Sequence, residues 1–210
     1  MQQSPDSPND VDWTCVSGSI VAQGSCGSCY VIAASDSLSA AMAIYHYTFY
    51  VKLSYQEILS CSKNGLVFGC QGGFLEGAFS YISTNGVTSD FHYPYKAEKD
   101  GKNSDCALEN NSNKMRVRIR KFTFIESKSC TDLKLALKRQ PVAIGIAGFP
   151  LIFYGKGVFD NCKATDKHDH AVLLIGFKEG KGWKIKNSWG KTWGEEGYGW
   201  LADGNTCKLC

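Results

Sequence analysis

A chain of 210 residues, 43% hydrophobic, 20% charged and 12% aromatic, carries enough apolar material for one packed domain or two close lobes, and too much for a disordered chain. Its formal net charge of +3 is too small to mark a nucleic-acid surface. The longest apolar-leaning run, residues 31–50, carries Asp36 and His46, which argues against a membrane span.

The polar N-terminal stretch MQQSPDSPNDVDW has neither the basic nor the apolar region of a leader peptide, while ten cysteines favour an oxidising compartment. A processed secreted or vesicular protein is expected. From Cys29 to about Tyr45 the residues are small and apolar throughout, which predicts a buried helix. Ser54-Tyr55-Gln56-Glu57 has capping-box spacing and opens a shorter helix to about Cys61. Gly72 and Gly73 precede FLEGAFSYIST, a third helix ending at Asn85-Gly86, and from there to Asn113 the chain is rich in turns.

Beyond Asn113 the pattern changes. MRVRIRKFTF (115–124) alternates and predicts a strand, and TDLKLALKRQ (131–140) predicts a helix that Pro141 stops. VAIGIA, HAVLLIGF, GWKIKNS and YGWLA follow as strand-like runs between glycine-rich turns. The class is therefore α+β, helical first and sheet-rich after about residue 115, without an internal repeat. Arg116, Arg118 and Arg120 fall on one face of the predicted strand, which reads as a solvated face. Asn110-Asn111-Ser112 is a glycosylation sequon in a loop, usable in a secreted chain.

Cys26 and Cys29 stand three apart in QGSCGSCYVIAAS (23–35), directly before the first helix. Such thiols could hold a metal, shuttle electrons, form a disulfide or act as a nucleophile. Cys207 and Cys210 repeat the spacing, but they lie much further away than the roughly 15–20 residues that separate the pairs of a zinc ribbon. No strand precedes Cys26, as a thioredoxin-like motif would require. A nucleophile needs a base. Of the four histidines, His46 ends a helix and His92 sits in a turn-rich loop, whereas His170 opens a strand directly after Asp169. A helix N-terminus and a nearby imidazolium both favour a thiolate, and Asn187 downstream could orient the imidazole.

These pieces occur in order with VDW (11–13), LSYQEILSC (53–61), GCQGG (69–73), YPY (93–95), QPVAIGI (140–146), DHAV (169–172) and NSWGKTWGEEGYG (187–199). Together they make the chain resemble the papain-like (C1 family) cysteine proteases along essentially its whole length; C-G-[SA]-C-[WY] with later His and Asn is a known signature of that family. The resemblance implies a two-lobed α+β fold: a mainly helical lobe (about 16–115), a mainly antiparallel, barrel-like lobe (1–15 plus 116–210), and a cleft between them. It implies Cys29 as nucleophile, His170 as general acid/base, Asn187 as its orienter and Gln23 as an oxyanion donor. Trp189 would shield the His170–Asn187 hydrogen bond. Gly72, Gly73 and Asp169 would line the substrate cleft, with Gly73 pairing to the substrate backbone. Leu75, Gly145, His168 and Cys210 would form an apolar S2 pocket without an acid at its base.

The same resemblance pairs Cys26 with Cys70, Cys61 with Cys106 and Cys162 with Cys207. Cys15, Cys130 and Cys210 are left over, and a Cys15–Cys130 bridge is the expectation, because the family's N-terminal segment crosses to the second lobe. Tyr30 replaces a frequent tryptophan, Lys208 replaces a usual glycine, and the family's final strand would begin about where the sequence stops. The 92–106 loop has no likeness to the occluding loop of the carboxydipeptidase members, which implies an endopeptidase. The implied partners are protein and peptide substrates, cystatin-like inhibitors and the chain's own removed prodomain; no nucleic acid, membrane, metal or cofactor is implied. A monomer in a lysosome or vacuole, or a secreted one, completes the expectation. The rival reading is a papain-fold scaffold without turnover.

Overall fold

The computed structural model describes residues 8–46, 49–108, 115–125, 129–163 and 165–210. The sequon at 110–112 lies outside them. Helix α1 (Cys29–Tyr45) buries nearly every residue from Tyr30 to Ala40, as its small and apolar composition predicts. Helix α2 (Tyr55–Cys61) starts where the capping box predicts, with the Ser54 side chain accepting the Glu57 N–H. Helix α3 (Leu75–Asn85) ends at Gly86, and a single-turn helix, α4 (Ala97–Asp100), follows. Around α1, α2 and α3 lies the first core, with Tyr30, Leu53, Tyr55, Ile58 and Ile82 among its fully buried side chains.

The second core packs α5 (Cys130–Leu137) against a six-stranded sheet. Its strands are β1 (Val11–Asp12), β2 (Val142–Ile146), β3 (Val158–Phe159), β4 (His170–Lys178), β5 (Gly182–Lys186) and β6 (Tyr198–Leu201). The path runs β1-β4-β5-β6-β3, and β2 joins β4 as well. All pairs are antiparallel except β3 with β6. β4 is the hub. Leu174 faces Val142 on one side and Ile185 on the other, and Phe177 faces Val11 and Trp183, so β1 and β2 share the edge opposite β5.

Two expectations are corrected here. Residues 115–125 form no strand; Val117 makes an isolated bridge to Val87, and the remainder has no ladder neighbour among the described residues. The arginine face is also not uniformly solvated: the Arg116 guanidinium pairs with the fully buried Glu57 carboxylate and donates to Gly86 O at 2.8 Å. Glu57 is otherwise met by the Tyr81 hydroxyl and the Thr88 N–H, which accounts for a charge in that core.

Candidate active site between the two cores

Cys29 opens α1 from a pinned turn. The Cys26–Cys70 disulfide holds that turn, Gly27 N–H donates to Cys70 O at 2.8 Å, and the buried Ser28 hydroxyl meets the Tyr95 hydroxyl at 2.6 Å. Burial pushes the Cys29 thiol up, and backbone N–H groups of Ala171, Tyr30 and Cys29 itself partly offset this by hydrogen bonding to the sulfur. The Ala171 contact sets the sulfur beside the start of β4, whose first residue is His170.

Nε2 of His170 lies 2.8 Å from Oδ1 of Asn187. That oxygen also accepts the Ser188 N–H at 2.8 Å, which fixes the orientation of the amide. The atom facing His170 is therefore an acceptor, and Nε2 must carry the hydrogen. Nδ1 is left as the basic nitrogen of the neutral ring. Trp189 stacks on the imidazole with centroids 4.5 Å apart and in turn meets Trp193 edge-on. Burial pushes the His170 imidazole down, opposed by the Asn187 hydrogen bond and the Asp169 charge.

The 187–190 loop is stapled to the segment before α1. Gln23 N–H donates to Ser188 O at 2.8 Å, Gly190 N–H donates to Val21 O at 3.1 Å, and Ser188 Oγ donates to Gln23 Oε1 at 2.7 Å. Gln23 Nε2 spends one hydrogen on Cys26 O at 2.9 Å and keeps a second. Ser188 thus fixes the Gln23 amide, a task the sequence reading did not assign. Gly148 was missed too. An added Cβ there would sit 2.4 Å from the His170 Cβ, and the turn carrying it is capped by the Asp169 carboxylate, which accepts Gly148 N–H at 2.6 Å.

A groove of about 710 Å³ collects Gln23, Cys29, Gly72, Gly73, Leu75, Gly145, His168, Asp169, His170 and Trp189, with Phe149 and Ile152 as exposed apolar walls. Asn187 stands behind it, 2% exposed. Gly73 forms an antiparallel bridge with Val67 whose hydrogen bonds are made by neighbours, Phe68 N–H to Gly72 O and Phe74 N–H to Leu66 O. Gly73's own N–H and C=O therefore point away from Val67. A Cβ on Gly73 would strike the Tyr30 ring at 2.7 Å. A side cavity of about 220 Å³ adjoins the groove, walled by Leu75, Phe79, Phe122, Gly145, His168 and Cys210 among others.

The structure contains the Cys26–Cys70, Cys61–Cys106 and Cys162–Cys207 disulfides. The Cys15–Cys130 expectation fails: Cys130 bridges to Cys210, with Cα atoms 5.1 Å apart, and Cys15 is an exposed free thiol. Cys130 begins α5 on the second core, beside the C-terminal turn, so Cys210 is the thiol within bridging reach. Among the described residues no three His, Cys, Asp or Glu side chains converge as metal ligands, and no helix is long and apolar enough to cross a membrane.

The family described as papain family cysteine protease matches residues 7–210. Cathepsin L 2 of Paramecium tetraurelia is 35% identical over 205 residues, covering 96% of this chain and 62% of that protein. The crystal structure of the ragweed pollen allergen Amb a 11 cysteine protease in its proform aligns with a TM-score of 0.85 at 32% identity, covering 99% of this chain and 65% of that one. The Carica candamarcensis cysteine protease CMS1MS2, solved in complex with E-64, aligns with a TM-score of 0.81 at 26% identity, covering 97% and 95%. The present chain thus spans less than two thirds of the Paramecium and ragweed chains. On the family match across nearly all its residues, the chain belongs to the papain family of cysteine proteases.

Proposed function

We propose that the chain hydrolyses internal peptide bonds through a Cys29 thiolate and a His170 imidazolium. The observation that carries this reading is the His170 tautomer: Asn187 holds Nε2–H, so Nδ1 is the nitrogen available to take the Cys29 proton. Taken singly, each charge is disfavoured by burial. Moving one proton from sulfur to Nδ1 creates both charges together, and their attraction opposes both penalties.

The thiolate then attacks the scissile carbonyl carbon, and the carbonyl π electrons move onto oxygen. The Cys29 N–H and the second hydrogen of Gln23 Nε2 are the donors for that oxyanion; losing one such donor costs about 10²–10³ in rate. Collapse breaks the C–N bond while His170 Nδ1–H protonates the departing amine, leaving a thioester. Water, deprotonated at Nδ1, attacks the thioester and expels the thiolate. The outward N–H and C=O of Gly73 support strand-like pairing with an extended substrate. The apolar side cavity supports an apolar P2 residue, and the walls beyond His170 at Phe149 and Ile152 support a substrate that continues past the cut.

The ragweed relative is solved as a proform. By likeness to it, a removable propeptide is a partner of this chain, and cystatin-like inhibitors would enter the same groove. An acidic lysosomal or vacuolar compartment, or secretion, suits the cysteine usage, and the enzyme would act as a monomer.

The test is Cys29 alkylation by iodoacetamide from pH 4 to 9, read by mass spectrometry, with E-64 labelling and cleavage of an internal peptide bond in parallel. Fast labelling at pH 5 is expected in the wild type. In His170→Ala, labelling should rise only above the ordinary thiol value of about 8.5, because burial alone pushes the sulfur up. A wild type that labels like the variant, and cleaves nothing, would assign the chain to the scaffold reading.

A further inference from the structure

The side cavity that takes P2 in the proposal above has one wall unlike the others. Leu75 and Phe79 of α3, the 122–125 segment, the 142–145 stretch of β2 and His168 supply most of the lining, whereas Ser129 and Leu133 at the start of α5 and Lys208, Leu209 and Cys210 of the C-terminal turn supply the remaining wall. Those last two segments are the ones the Cys130–Cys210 disulfide joins. We propose that this disulfide is a specificity determinant of the proposed protease: it clamps the C-terminal turn into the P2 cavity and so limits the size of side chain accepted. The inference rests on the protease reading and adds a named element to it.

The turn's backbone shows why a clamp matters. Cys207 and Lys208 are consecutive non-glycine residues at φ 52° and φ 60°, in the left-handed region that L-residues hold only when their surroundings impose it. Cys207 is fixed by its bridge to Cys162 and by its carbonyl accepting the Ala147 N–H at 2.9 Å. On the far side of the turn, Cys210 is held by Cys130 and by its N–H donating to Asn205 Oδ1 at 3.0 Å. With Cys130 gone, the hydrogen bonds left on Lys208, Leu209 and Cys210 run within the turn itself, to Asn205 and Thr206, or to His168; the covalent tie to α5 is lost, and Leu209 and Cys210 would swing off the cavity wall. The Lys208 carbonyl also meets His168 Nε2 at 2.9 Å, so the same turn orients the histidine at the mouth of the cavity. Cys29, His170, Asn187 and Gln23 come from other segments, which separates the shape of the cavity from the chemistry.

The experiment compares kcat/KM for two peptides differing at P2, tryptophan against valine, in the wild type and in Cys130→Ser/Cys210→Ser. Loss of the bridge should raise the tryptophan-to-valine ratio about tenfold, in the range a single hydrophobic contact discriminates. Mass spectrometry confirms the absent bridge, and E-64 labelling of Cys29 reports a folded site. Should the serine pair fail to fold, Cys130→Ala/Cys210→Val refills the space with apolar atoms and is read the same way. A ratio within about twofold of wild type in a folded variant would overturn the clamp. A wild type that cleaves neither peptide would overturn the protease reading instead.

Discussion

Gly148 shows how tightly one residue can be bound to a site it does not chemically join. Its backbone lies at φ −86° and ψ −29°, where alanine is comfortable, so any effect of a methyl group there is steric. The methyl would meet the Cβ, Cγ and Cδ2 of His170 at 2.4, 2.9 and 3.1 Å, and these atoms belong to the rigid start of a ring that Trp189 stacks against and Asn187 holds. The ring has to move. On the proposed mechanism His170 carries the proton, and displacing such a group by about 1 Å costs on the order of 10² in rate. Gly148→Ala should therefore lower kcat about a hundredfold while its thermal midpoint stays within a few degrees; an unchanged kcat would mean that the turn gives way instead. Nothing local in the sequence announces this glycine, because its constraint comes from a ring 22 positions later. Cys29, His170, Asn187 and Gln23, by contrast, were legible as an ordered set of motifs, and the groove brings the first two and Gln23 together with Asn187 behind them. The Cys130–Cys210 bridge was not legible, since pairing depends on Cα distances that no spacing encodes.

At the scale of elements, legibility followed whether an element's signal is local. Helix α2 carries its start signal within four residues: Ser54 caps the Glu57 N–H at 3.0 Å. The same hydroxyl donates to Tyr93 O at 2.6 Å and is fully buried, so Ser54→Ala leaves two backbone groups short of a partner. A lost cap costs about 1–2 kcal/mol, which in a domain of this size lowers the thermal midpoint by roughly 2–4 °C per kcal/mol. Calorimetry should register that loss with peptide cleavage retained at low temperature, and a midpoint unmoved within a degree would show that other groups satisfy the helix start. The 115–125 segment failed for the opposite reason. Its alternation is real, but a strand is made by its neighbour, and among the described residues none pairs with it beyond the Val87–Val117 bridge. β1 and β3, two residues each, are too short to leave any period and exist because β4 and β6 pair with them.

Across the whole molecule, the four disulfides divide between the two cores: Cys26–Cys70 and Cys61–Cys106 staple the helical part, Cys130–Cys210 and Cys162–Cys207 the sheet part. The groove between the cores is held by other means, chiefly α1 packed against β4 and β2. One of those means is ionic. Lys186, at the end of β5 and next to Asn187, donates to Asp36 of α1 at 2.8 Å, with both side chains only 2% exposed. Asp36 also accepts from the Tyr50 and Tyr55 hydroxyls, whose pKa values burial and the Asp36 charge push up, so both stay protonated donors. The aspartate that argued against a membrane span in the sequence is thus the helix's anchor to the sheet. Removing one partner of a buried pair costs about 3–5 kcal/mol, whereas replacing both with apolar residues is often near neutral. Lys186→Met should therefore lower the urea midpoint sharply, and Asp36→Asn added to it, which removes the orphaned charge and keeps an acceptor for the two tyrosine hydroxyls, should restore part of the loss. Cleavage by that double variant separates two meanings of the pair. Stability regained with kcat still depressed would show that the ion pair sets the position of Asn187 and, through it, of His170; kcat regained as well would confine the pair to holding the cores together.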